Sequence, residues 1–177
     1  MVMVRKIISG GQTGVDRAAL DFALDHGIST GGWLPRGRLA EDGALAESYP
    51  NMKETASPAP EARTRLNVLD SDATLIIVRG PVAGGTLLTV EAARSGGKPL
   101  FIADLSGSFG ESECSSFGRW LAEEKIETLN VAGPKESEDP GIYDAARAFL
   151  SRLFADDNTP ETERPRTHRK KIKRGRI

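Results

Sequence analysis

Residues 4–33, VRKIISGGQTGVDRAALDFALDHGISTGGW, decide the fold. Val4 to Ser9 is a short run rich in β-branched residues and predicts a strand. Val15, Ala19, Leu20, Ala23 and Leu24 recur at helical spacing and predict a helix over residues 15–26 with one apolar face, and Ile28 to Trp33 restarts a strand. A strand, a helix and a second strand in this order form the crossover that two parallel neighbours require.

Working outward, the pattern repeats. Thr74 to Val78 is a near-continuous apolar run of the kind buried on both faces, and Pro99 to Ala103 and Thr128 to Val131 supply two more strands. Residues 86–95 and 115–125 read as crossover helices. In residues 142–154, Ile142, Ala145, Ala146, Phe149, Leu150 and Leu153 line one face of a closing helix. The expected class is α/β, a three-layer fold with a mostly parallel sheet of at least five strands. One domain over residues 1–155 suits a chain of 177 residues.

No apolar run approaches the ~20 residues that span a bilayer, and the N-terminus passes straight into glycines, unlike a secretory signal; a cytoplasmic location is expected. Cys114 is the single cysteine, which excludes an intramolecular disulfide, and with His26 and His168 as the two histidines the usual ligand set of a structural zinc site is lacking. No metal ligands are assigned. The charge is unevenly placed. Residues 164–177, RPRTHRKKIKRGRI, hold 8 of the 24 Lys and Arg and none of the 25 Asp and Glu, so the rest of the chain is acidic. Residues 156–177 therefore read as a basic, disordered tail, a solvated appendage or a weak, salt-sensitive nucleic-acid contact.

In a parallel sheet with right-handed crossovers, the strand-to-helix loops gather at the carboxyl edge, where ligands bind. The first such loop is Ser9-Gly10-Gly11-Gln12-Thr13-Gly14-Val15-Asp16. Its glycines allow a sharp turn and close approach, and the free amides of the helix's first turn favour an anion. It is neither GxGxxG nor GxxxxGK[ST]; a tight turn capped by Thr13 or Asp16 explains it also. The second is Arg79-Gly80-Pro81-Val82-Ala83-Gly84-Gly85-Thr86, of like composition at a like junction, so one anionic ligand between the two is expected.

Residues 34–60 contain four prolines and no convincing period, and read as a lid whose Arg36 and Arg38, with Arg63 on a short following helix, could neutralise phosphate. Asp70 and Asp72 immediately precede a strand, fall at the opposite edge, and read as turn and capping residues. After the last strand, Asn130, Ser137 and the amides around Gly133 could reach the ligand edge, although a plain turn explains Gly133-Pro134 nearly as well. The candidate ligand set is Gly10, Gly11, Gln12, Thr13, Gly14, Asp16, Arg36, Arg63, Gly84, Gly85, Thr86, Asn130 and Gly133.

Five ordered segments, GGQTGVDRAALDFALDHGI, GGWLPRGRLAEDGALAESYP, ARTRLNVLDSDATLIIVRG, AGGTLLTVEAARSGGKPL and LNVAGPKESEDPGIY, resemble the molybdenum carrier family, related to molybdenum cofactor carrier proteins. The resemblance covers roughly residues 5–153. It implies a Rossmann-like fold, a homo-oligomer, and a cytoplasmic protein that binds a molybdopterin-type cofactor or another phosphorylated ligand, with the glycine-rich loops, Arg36 and Arg63 on the phosphate. The same family resembles, at greater distance, lysine-decarboxylase-like Rossmann proteins that bind or cleave nucleotides and carry PGGxGTxxE. Here the segment is Val82-Ala83-Gly84-Gly85-Thr86-Leu87-Leu88-Thr89, and Thr89 stands where that motif has its Glu. The alternative implied is a nucleotide-derivative hydrolase with a general base among Asp16, Glu41, Asp42 and Glu91. The residues leave catalysis unassigned.

Overall fold

A computed structural model describes residues 4–107 and 110–155. The chain runs β1 (Lys6–Ile8), α1 (Val15–Asp25), β2 (Ser29–Leu34), β3 (Leu39–Ala40), β4 (Gly43–Ala44), β5 (Met52–Glu54), α2 (Pro60–Leu69), β6 (Ala73–Val78), α3 (Gly84–Ser95), β7 (Leu100–Asp104), α4 (Glu111–Glu123), β8 (Thr128–Ala132) and α5 (Ile142–Leu153). The basic tail predicted over 156–177 lies outside the described residues.

Six strands form one parallel sheet in the order β5-β2-β1-β8-β6-β7. β6 is the most apolar strand, ATLIIV, and every one of its residues is buried, as a central parallel strand requires. On one face α1, α4 and α5 pack Phe22, Phe117, Leu121, Phe149 and Leu150 against Ile7, Leu75, Ile77 and Leu129. On the other, Val90 of α3 meets Ile76 and Val78 of β6, with α2 packed beside α3. The result is the three-layer, Rossmann-like α/β arrangement. Among the described residues no helix is long and apolar enough to cross a membrane.

The strand order positions the site. From β1 the chain builds outward through β2 to β5, and from β6 outward to β7, while the last strand, β8, inserts between β1 and β6. The loops after β1, β6 and β8 thus meet at the point where the winding reverses, which is where open α/β sheets leave a crevice.

Helix α3 begins at Gly84, two residues before the predicted start, and two other elements differ more from expectation. β5 arises inside the segment predicted as an irregular lid, pairing Gly32 with Met52 and Leu34 with Glu54 at the sheet edge; three residues with one neighbour are too few to show a period. α4 begins at Glu111 rather than near 115, because the Gly110 N–H donates to the Glu113 carboxylate at 2.9 Å and Glu111 and Glu113 place negative charge on the first turn. At the opposite edge, Asp72 accepts the N–H groups of Glu127 and Thr128 at 3.0 and 2.7 Å, and Asp70 accepts the Trp33 indole N–H at 2.7 Å, so both act as turn and capping groups.

Candidate functional site

A cleft of about 300 Å³ opens at the carboxyl edge between α2 and α3. Its floor is Ala132 and Gly133 at the end of β8; one wall is Pro60, Glu61, Arg63 and Thr64 of α2; the other is Gly85, Thr86, Leu88 and Thr89 of α3. Gln12, Asp16, Lys135 and Glu138 complete it.

The α3 wall presents unsatisfied donors. First-turn amides of a helix have no intrahelical partner, and the residue preceding this turn, Ala83, has no side chain able to cap them. Gly84 takes φ +53°, a conformation that suits glycine, and a Cβ added at Gly85 would meet nothing, so the backbone stands open to a ligand. Thr86 is only 4% exposed, yet its hydroxyl has no hydrogen-bond partner. Buried polar atoms are rarely left so.

Opposite, Arg63 Nη1 lies 3.2 Å from Asp16 Oδ2. The guanidinium lies against the bare Cα of Gly10, where any side chain would collide with it. Its Nε is buried without a partner. Asp16, 3% exposed, also accepts the Gln12 N–H at 3.3 Å. Burial pushes its carboxyl above the usual range, against the opposing pull of Arg63 and of hydrogen bonds from Gln12 and Ser9.

The loop after β1 is occupied from within. Val15 N–H donates to Pro134 O at 3.2 Å, and Thr13 N–H donates to Gln12 Oε1 at 3.0 Å. A Cβ at Gly14, whose φ is +69°, would stand 2.4 Å from Pro134 O. On the outer side, Glu41 accepts hydrogen bonds from the Thr13 hydroxyl and from the N–H and hydroxyl of Ser137. The Ser137 and Thr13 hydroxyls, in that order, hold its carboxyl at about 2.

Of the predicted ligand set, the cleft brings together Gln12, Asp16, Arg63, Gly85, Thr86 and Gly133, while Gly84 precedes Gly85 and faces the Glu138 carboxylate. Gly10 lies beneath Arg63. Gly11 is buried against Leu34 and Leu45, and Gly14 against the loop after β8. Asn130 lies deeper, donating to the Thr74 hydroxyl at 3.2 Å, and with Gly10, Arg63 and Thr89 it lines a small pocket that adjoins the cleft. Arg36 is exposed on its loop, its N–H bonded to Ser57 O, and does not line the cleft. Thr13 and Gly14 face a second pocket with Arg17, Asp21, Tyr49 and Tyr143, in which both phenols donate to Asp21 at 2.6 and 2.7 Å. Burial, followed by these bonds, raises both tyrosines, Tyr143 to about 12.

Lys135 and Glu138 are cleft residues that the sequence reading leaves out of the set. They lie in the loop after β8, and only the insertion of β8 beside β1 brings that loop to the crevice. Of the four candidate bases, Asp16 alone lines the cleft. Asp42 pairs with Arg17 at 3.1 Å, Glu41 is bound as described, and Glu91 is exposed on α3.

The geometry has relatives. The crystal structure of "Putative molybdenum carrier protein" from Syntrophus aciditrophicus SB is similar at 45% identity over 85% of this chain and 94% of that one, with a TM-score of 0.82. None of the curated proteins matches the chain. Residues 7–154, nearly the whole described fold, match the circularly permutated YpsA SLOG family, and it is to this family, molybdenum carrier-like in sequence and fold, that the chain belongs.

Proposed function

We propose that the chain is a binding protein that holds a phosphorylated cofactor of molybdopterin type in the cleft between α2 and α3, its phosphate on the first turn of α3. The observation that carries this is the partnerless Thr86 hydroxyl beside an uncapped helix start, faced by the Arg63 guanidinium whose Nε also lacks a partner. Backbone amides at a positive helix end, a hydroxyl and a guanidinium are the donors a phosphate monoester takes. These donors fit the phosphate end of such a cofactor rather than its metal. The molybdenum reading itself comes from the similar Syntrophus aciditrophicus protein.

Equilibrium binding tests it. Purified protein should bind the molybdenum cofactor saturably at one site per chain. No affinity for it, nor for other phosphorylated ligands, would remove the carrier reading. The alternative, hydrolysis of a nucleotide derivative, draws on Asp16, a buried carboxyl of raised pKa in the cleft. Chromatography of a nucleoside monophosphate panel after incubation decides between them: release of free base, abolished by Asp16→Asn, favours catalysis, and unchanged substrates favour binding.

The proposal includes a cytoplasmic homo-oligomer formed through α3, on which Leu87 is exposed; sedimentation at 19.0 kDa at micromolar concentration would contradict it. Residues 156–177 contribute only salt-sensitive polyanion contact in this reading, and truncation after Asp157 should leave small-ligand affinity unchanged.

A further inference from the structure

The β3–β4 hairpin touches the ligand edge through Glu41. Oε1 of its carboxylate accepts the Thr13 hydroxyl and the Ser137 N–H at 3.1 Å; Oε2 accepts the Ser137 hydroxyl, and Lys135 Nζ lies 3.5 Å from it. The donors are aimed rather than incidental. Thr13 Oγ1 accepts the Glu136 N–H at 3.1 Å, which directs the hydroxyl proton toward the carboxylate. The Glu41 N–H donates to Gln12 Oε1 at 2.8 Å, and Gln12 and Lys135 both line the cleft. Two hydroxyls, an amide and an ammonium converge on one anion, and that anion stands in the turn of a surface hairpin whose strands are two residues each.

We infer that Thr13, Ser137 and Lys135 form a second oxyanion subsite, beside the cleft, of which Glu41 is the displaceable resident: phosphate, free or as a monoester group, takes the place of the Glu41 carboxylate and releases the hairpin tip. The remaining ties confine the movement to residues 39–44. Leu45 is buried against Leu34 and Leu20, Arg38 donates to Leu45 O and Ala46 O at 2.8 and 2.7 Å, and Tyr49 is held by Asp21. Two further polar ties hold the tip, the Glu41 N–H on Gln12 Oε1 and the two-pronged pairing of Arg17 with Asp42 at 3.1 and 3.2 Å, and both must loosen as the hairpin opens.

The inference stands apart from the cofactor reading, because the probe is inorganic phosphate and every protein compared carries Thr86→Val, which weakens the α3 site equally in all of them. Full-length T86V protein and the same protein carrying E41A or E41Q are titrated with phosphate calorimetrically at low salt. Removing the resident carboxylate should tighten phosphate about tenfold in both variants, the size expected when a competing charge-assisted hydrogen bond is lost. Adding S137A should abolish the gain. In the T86V protein with Glu41 intact, saturating phosphate should speed hydrogen exchange of the amides over residues 39–44. Unchanged affinity in E41A and E41Q, a gain that survives S137A, or exchange at 39–44 that phosphate leaves unchanged or slows would each overturn the inference.

Discussion

The loops of residues 9–16 and 79–86 each carry three glycines, a threonine and a valine and join a strand to a helix at the same edge of the sheet, yet they end in opposite states. In the first, Pro134 O takes the Val15 amide, the Asp16 carboxylate takes that of Gln12, and Glu41 takes the Thr13 hydroxyl. In the second, Arg79 binds Asp139 and the Gly80 N–H donates to Asp104 at 2.8 Å, which anchors the loop's entry and leaves Gly84, Gly85 and Thr86 open. Glycine content marks where backbone can approach something. Whether that something is a ligand or the protein itself depends on which acceptors the fold brings up: the segment after β8 sets Pro134 O on the first loop's Val15 amide, while at the second loop its Asp139 holds Arg79 and leaves the first turn of α3 facing the cleft.

The largest expected contrast comes from the glycines. Gly14→Ala places a Cβ at φ +69° and within 2.4 Å of a carbonyl, and should cost about 3 kcal/mol, read as a drop of roughly 10 °C in thermal midpoint. Gly85→Ala meets no atom and has no positive φ, so it should gain about 0.5 kcal/mol while weakening the phosphorylated ligand. Equal destabilisation by the two changes would break the distinction between a packed and an open loop.

Next in size is Thr86→Val. An orphan hydroxyl contributes little to folding, so thermal stability should hold within about 0.5 kcal/mol while ligand affinity falls about tenfold. A variant that loses stability and keeps affinity would show that the hydroxyl serves the fold.

Much of this architecture is legible in the chain. Five strands and the amphipathic faces of α1 and α5 carry clear periods, because each buries a long apolar surface. The edge strand β5 and the hairpin β3–β4 do not, being two or three residues long and held by partners distant in sequence. The candidate site is half legible for the same reason. Gly85 and Thr86 follow an obvious strand, and Arg63 lies on the helix that closes the lid segment. Lys135 and Glu138 depend on strand order, which no local pattern encodes, and the fate of Arg36 depends on a loop path that turns its side chain to solvent.

The smallest effect is protonic and sharpens the picture of the occupied loop. Asp16, raised by burial, gives its most favourable contribution to stability when protonated, a contribution that grows as pH falls through its raised value and levels off near the unfolded value of about 4. Glu41, lowered to about 2, contributes fully above its unfolded value near 4.5 and loses that contribution as pH falls through about 2. Carbon-13 NMR of the two carboxyl groups should therefore find Asp16 titrating above the ordinary range and Glu41 below it. Superimposed curves at ordinary values would mean that neither group is held as described.

The most direct measurement is an amide chemical-shift titration of the full chain with the phosphorylated cofactor. Binding on the open loop predicts that the amides of Gly84, Gly85 and Thr86 move first and furthest, saturating together with the Arg63 side-chain signal, while those of Val15 and Gln12, already bonded within the protein, move little. Shifts centred on Gln12, Thr13 and Val15 with Gly84 to Thr86 unmoved would contradict it, because the ligand would then sit on the loop that the protein fills with its own acceptors.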